Sequence, residues 1–217
     1  IDGAGNTTWG NNSSPVAHGI SADGRYVLFA ADGSTGSGFI LRKDMDTGAI
    51  VRVNVDADGN THQGWNAAGP QISMSGDGNV VVMEQYNADY SGLPGPDDRR
   101  HIYHKDLTTG EIKRVDIQPD GSPSGMDANT SGYDIDVSYD GSKVVFKSRD
   151  DGTGYDLVDA SIGVDAPAIY VRDMNVTTGT PVTLVSAAED GTPSNANGGD
   201  YSETVISGNG QFVAWAS

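Results

Sequence analysis

Short apolar runs rich in β-branched and aromatic residues recur along the chain, each closed by a polar, Gly-containing turn. This is the pattern of short strands joined by tight hairpins, with minimal helix. The runs are not independent, because the string Ser-x-Asp-Gly, followed by such a run, appears four times. The copies are Ser21-Ala22-Asp23-Gly24 before Tyr26-Val27-Leu28-Phe29, Ser75-Gly76-Asp77-Gly78 before Val80-Val81-Val82-Met83, Ser138-Tyr139-Asp140-Gly141 before Val144-Val145-Phe146, and the variant Ser207-Gly208-Asn209-Gly210 before Phe212-Val213-Ala214-Trp215. Trp215 takes the place of Phe29, Met83 and Phe146, and is expected in the core.

Two further elements repeat in phase. Ile40-Leu41-Arg42-Lys43-Asp44, Ile102-Tyr103-His104-Lys105-Asp106 and Ile169-Tyr170-Val171-Arg172-Asp173 each lead to a Thr-Gly, at Gly48, Gly110 and Gly179, the third with two extra residues. Val51-Arg52-Val53, Ile112-Lys113-Arg114-Val115 and Val182-Thr183-Leu184-Val185 then close each unit before a second Asp-Gly. Each unit thus holds four strands: one before the Ser-x-Asp-Gly, one after it, one ending at the Lys/Arg-Asp and one after the Thr-Gly. The Asp-Gly pair supplies the positive φ that a tight hairpin demands, and the Asp and Thr side chains suit local backbone bonding, so neither repeat requires chemistry.

A four-stranded unit of this kind predicts a propeller blade. The units resemble the TolB-type, WD40-like β-propeller repeats of bacterial periplasmic and secreted proteins, and the resemblance covers essentially the whole chain. It implies an all-β fold of four-stranded antiparallel blades whose first strand lines a central channel, and protein–protein interaction as the commonest use. Residues 1–217 read as a single partial propeller with blades at about 15–69, 70–132 and 133–201 and a partial fourth at 202–217. Residues 1–14 read as the tail of a preceding blade, because Ile1-Asp2-Gly3 aligns with Val55 onward. Propellers close with about 4–8 blades, so further blades, or a second chain giving seven in all, are expected to complete the ring.

Composition narrows the partners. The formal charge is −17, and 26 of the 30 acidic residues are Asp. Nucleic acid and anionic membranes both call for concentrated Lys and Arg, which this chain lacks, and no apolar run is long enough to insert in a bilayer. Cations and basic surfaces remain. The chain has no Cys, which leaves the redox compartment open.

Candidate chemistry lies in the connections between second and third strands, which lengthen from 32–38 to 85–100 and 148–167. Inserted loops on one face of a propeller form binding surfaces. Clustered carboxylates there suit Ca²⁺, with Asp150, Asp151 and Asp156 as the chosen ligands and Asp97 and Asp98 as further binding residues. Asp56-Ala57-Asp58-Gly59-Asn60 begins like a Ca²⁺ loop but its counterparts do not repeat it. Trp9 and Trp65, in the linkers after fourth strands, either stack on a sugar or protein surface or pack between blades. His18 stands where the other units have Ile72, Ile135 and Thr204, as a structural residue or a channel-facing ligand. His101 and His104, three apart on a strand, point to opposite faces and do not share a metal. Asn6, Asn11, Asn12, Asn129 and Asn175 head glycosylation sequons, of weight only in a secretory pathway.

No nucleophile elbow or phosphate loop is present. The sequence therefore favours a non-catalytic, exported binding scaffold for a protein or glycan, periplasmic or extracellular and calcium-stabilised. The alternatives are the propeller part of a larger secreted enzyme, such as a peptidase or polysaccharide lyase, and a structural component of a surface assembly.

Overall fold

The structure, a computed structural model, describes residues 16–32, 38–56, 58–60, 71–86, 90, 93, 99–118, 126–127, 134–149, 157–158, 167–177, 181–193 and 202–216. Its strands are antiparallel and pair in chain order. The first sheet runs β1 (Val16–Ile20), β2 (Tyr26–Asp32), β3 (Gly38–Asp44) and β4 (Ile50–Arg52). The second runs β5 (Ile72–Met74), β6 (Val80–Tyr86), β7 (Arg99–Asp106) and β8 (Ile112–Arg114), and β9 (Met126–Asp127) adds to the start of β7. The third runs β10 (Ile135–Val137), β11 (Lys143–Arg149), β12 (Pro167–Asp173) and β13 (Val182–Leu184). In the fourth, β14 (Ser202–Ile206) pairs with β15 (Val213–Ala216). Register is conserved from sheet to sheet: Tyr26 faces Asp44, Val80 faces Asp106 and Lys143 faces Asp173.

The hairpins hold that register with side chains the repeat supplies. The Ser21 hydroxyl donates to Asp23 Oδ1 at 2.6 Å and accepts the Tyr26 N–H at 2.8 Å. Ser75 and Ser138 do the same with Asp77 and Val80, and with Asp140 and Lys143, while Ser207 does so with Asn209 and Phe212. Glycine closes each turn at φ between 67° and 77°, as the left-handed position requires. In the next turn Asp44 Oδ1 accepts the N–H groups of Asp46 and Thr47, and Asp106 those of Thr108 and Thr109. A third device follows the fourth strand. Asn54 Oδ1, Asp116 Oδ1 and Ser186 Oγ accept the N–H groups of Ile40, Ile102 and Ile169 at 2.9–3.0 Å, taking over from the ladder where it runs out.

The sheets stack face to face. Leu28, Ala30 and Ile40 of the first meet Ile72, Val81, Met83 and Tyr103 of the second. Val80, Val82 and Ile102 meet Ile135, Val144, Phe146 and Tyr170, and Val145 and Ile169 meet Ile206 and Val213. The first strands lie side by side at the centre, β1 with β5, β5 with β10 and β10 with β14. A backbone relay ties the hairpins: Ala22 N–H to Gly76 O (2.8 Å), Gly76 N–H to Tyr139 O (2.9 Å), and Tyr139 N–H to Gly208 O (2.9 Å). Trp215 departs from expectation, being 37% exposed where Met83 and Phe146 are fully buried. Those two lie opposite Tyr103 and Tyr170 on the third strand, and β15 has no such neighbour among the described residues.

Candidate functional site

The two ends of the blades have different character. At one end lie both families of turns, and they bond each other: Met45 N–H to Arg25 O, Leu107 N–H to Asn79 O and Met174 N–H to Ser142 O, each at 2.7–2.8 Å. Arg25 adds a 2.8 Å ion pair with Asp44, and with the turn N–H groups this holds the Asp44 carboxyl down at about 2. Asp23 and Asp140 are lowered by bonds from their own hairpins, and Asp77 is lowered by the same kind of bonds against an opposing burial effect. Asp56, which opened the Ca²⁺-like string, is likewise committed. Its Oδ1 accepts the N–H groups of Asp58 and Asn60, and its Oδ2 the Asn60 amide. Carboxylates occupied in this way hold backbone, and they offer a cation little.

The other end carries the long connections. Asp97 and Asp98, and Asp150, Asp151 and Asp156, lie outside the described residues, as do Trp9 and Trp65. What is described of these connections is apolar and buried. Tyr90 is 2% exposed and packs edge-on against Tyr103 at 4.7 Å, and burial pushes its hydroxyl pKa up. Leu157 and Val158 sit in the core between the second and third sheets. Both insertions are thus pinned from beneath, a feature that the search for carboxylates in the same stretches passed over.

At the centre, the first strands present polar groups to one another. Asp136 Oδ1 accepts the Ser73 hydroxyl at 2.7 Å and Oδ2 the Ile206 N–H at 3.0 Å, and Asp134 Oδ2 accepts the Glu203 N–H at 3.1 Å. Glu203 has a left-handed φ of 62° at a bulge in β14. His18 lies at the corresponding bulge in β1, half-buried, with its pKa lowered by burial. Its Nε2 is buried and has no hydrogen-bond partner.

The second sheet also contains a buried charged shelf. Glu84 pairs with Arg100 at 2.8 Å, and His101 Nδ1 with Asp116 Oδ2 at 2.7 Å, with Arg114 Nε 3.6 Å from Asp116 Oδ1. The pair resembles the base and orienting acid of a catalytic site, but His101 and Asp116 are 2% and 1% exposed. No solute reaches them. Asp116 holds the strand-capping place of Asn54 and Ser186, and His101 takes up its second oxygen. The signal was in the sequence, in the alignment of Asn54, Asp116 and Ser186, although only the fold gives it meaning. His104 is elsewhere, its Nε2 2.9 Å from Gly141 O of the third sheet. The two histidines do not converge. Among the described residues no group of three or more His, Asp or Glu could hold a metal, and no helix is long and apolar enough to cross a membrane.

No family model matches the chain, and no curated protein matches it. Solved structures do. TolB from Acinetobacter baumannii superposes over 94% of this chain and 37% of its own, at 18% identity and a TM-score of 0.54. A structure from a study of two prolyl endopeptidases superposes over 94% of this chain and 26% of its own, at 12% identity and a TM-score of 0.53. The β-propeller domain of the Trilobed protease from Pyrococcus furiosus aligns over 82% and 44%, at 11% identity and a TM-score of 0.47. At such identities the likeness is one of fold. The chain has the TolB-like β-propeller fold, and it spans little more than a third of the TolB chain it resembles.

Proposed function

We propose that this chain is a non-catalytic binding module, exported to the periplasm or cell exterior, which holds a protein or glycan on the end of the propeller that carries the long connections. The observation that supports this is the contrast between the ends. The turn carboxylates are used up by their own backbone, whereas the inserted connections are anchored by Tyr90, Leu157 and Val158 and free to vary above those anchors. A rigid scaffold with variable loops at one end is how folds of many functions host a binding site. Hydrogen–deuterium exchange tests it with defined probes, a panel of oligosaccharides and basic peptides. Binding should slow exchange in 87–98 and 150–166 and leave the Ser-x-Asp-Gly turns unchanged. Protection confined to those turns, or turnover of peptide or polysaccharide by this chain, would overturn the reading.

Calcium at Asp150, Asp151 and Asp156 belongs to the same proposal. Added Ca²⁺ should raise the melting temperature, and D150N/D151N should abolish the rise. A second reading, the propeller part of a larger secreted enzyme, is favoured by the fold likeness to a fraction of a prolyl endopeptidase. It predicts hydrolysis by the natural gene product that this chain alone lacks.

A further inference from the structure

Each sheet joins the next by a repeated knob and socket. The second residue after the hairpin glycine projects forward onto the corresponding glycine of the following sheet: Tyr26 onto Gly78, Val80 onto Gly141 and Lys143 onto Gly210, so close that a Cβ on any of the three glycines would overlap it. Arg42 lies over the Tyr26 ring at 4.2 Å and bonds the Gly78 carbonyl at 2.6 Å, sealing the first joint. The hairpin relay from Ala22 to Gly76, Tyr139 and Gly208 runs in the same direction.

The series has two unmatched members, and they fit each other. Phe212 is the fourth knob, 70% exposed. Gly24 is the glycine without a knob, with open space where a Cβ would point. Gly208 N–H would be the next donor of the relay, and the carbonyl of Ala22 is the acceptor that no preceding hairpin uses among the described residues. An exposed aromatic knob, a glycine socket and one complementary backbone bond at opposite ends of a stack make a heterologous contact, which closes into a ring when the rotation permits. The blade-to-blade rotation of a propeller is such a rotation. Each chain brings four sheets, so two copies reach eight, the upper end of the range of about 4–8 in which propellers close.

We propose that the outer face of the fourth sheet docks a second copy of this chain, seating Phe212 over that copy's Gly24 and passing the Gly208 N–H to its Ala22 carbonyl. The proposal extends an interface present three times in the molecule and does not depend on the ligand-binding reading above.

Light-scattering mass across a dilution series tests it. The wild type should rise from 22.6 kDa towards twice that value with concentration. Phe212→Asp and Gly24→Asn should each weaken association by roughly tenfold or more, equivalent to about 1.4 kcal/mol. Asn is chosen at residue 24 because it tolerates the left-handed backbone there while filling the socket. Phe212→Tyr, which copies Tyr26, should retain association, and unchanged thermal melts would show that the variants fold. A heterologous contact makes one further demand: Phe212→Asp keeps its socket and Gly24→Asn keeps its knob, so an equimolar mixture should regain a single 1:1 pair. A wild type that stays at 22.6 kDa throughout, or variants that associate as it does, would overturn the proposal. So would a natural gene product that is monomeric with further blades of its own over Phe212.

Discussion

The first and second sheets share strand order and register yet fill equivalent positions with opposite chemistry. Where the first has Ala30, Gly38, Phe39 and Asn54, the second has Glu84, Arg100, His101 and Asp116, all four of them buried. The backbone accepts either set because its geometry is fixed by the hairpin serines, the turn aspartates and the cap after the fourth strand. The lesson is that the blade tolerates exchange of a whole polar group for an apolar one, but not its half removal, since a lone buried charge costs more than a matched pair or none.

The largest effect should follow from breaking the shelf at its centre. Asp116→Ala strands the Ile102 N–H and removes the partner of His101 and Arg114, and should cost about 3–5 kcal/mol in urea unfolding. Asp116→Asn, which borrows the solution of the first sheet, should cost markedly less. If the two substitutions cost the same, the cap is not what Asp116 is for. Next comes Glu84→Ala, expected to cost about 3 kcal/mol while Arg100 remains, with much of the loss recovered in Glu84→Ala/Arg100→Ala. A double variant worse than the single one would contradict the exchange rule.

Ser75→Ala should cost about 1–2 kcal/mol, because it leaves the buried Val80 N–H without its acceptor. The more exposed Ser207→Ala should cost less.

The smallest effect is a pH dependence at the joints between sheets. Arg42 and His104 occupy the same strand position, and both reach a hairpin glycine carbonyl of the next sheet. Burial holds the His104 pKa below its ordinary value of 6.5, with Lys113 lowering it further while the Gly141 bond and Asp106 oppose. The unfolded chain therefore takes up the proton first. Stability present above pH 6.5 is lost as the pH falls from there through the lower folded value. His104→Arg should flatten that part of a stability–pH curve, by less than the ~1.4 kcal/mol of one pKa unit. An unaltered curve would assign the response to His18, whose pKa burial also lowers.

Legibility in the sequence followed the range of the interactions. The Ser-x-Asp-Gly and Asp-x-x-Thr-Gly turns close within five residues or so, and they announced the strands, the blade and the propeller directly. The seating of Tyr26 on Gly78, or of Ser73 on Asp136, joins residues more than fifty apart. Nothing in the local pattern distinguishes such a tyrosine or aspartate from its neighbours. The reading of Trp215 failed for a related reason: alignment places it in a core position, but burial is conferred by a third strand rather than by the position. The site residues were sought among carboxylates because composition pointed there. The described parts of the same connections turn out to be held by Tyr90, Leu157 and Val158, apolar residues that no motif search selects.

Asp136 gives this architecture a property that its repeats alone would not. In an array of repeats each unit feels only its neighbours, and melting can stop at any boundary. Here one carboxylate takes a hydroxyl from the second sheet with one oxygen and a backbone N–H from the fourth with the other. Loss of the fourth sheet therefore frees half of the group that also holds the second. The reach of cooperativity is two units instead of one, and fraying that starts at residues 202–216 is felt at Ser73.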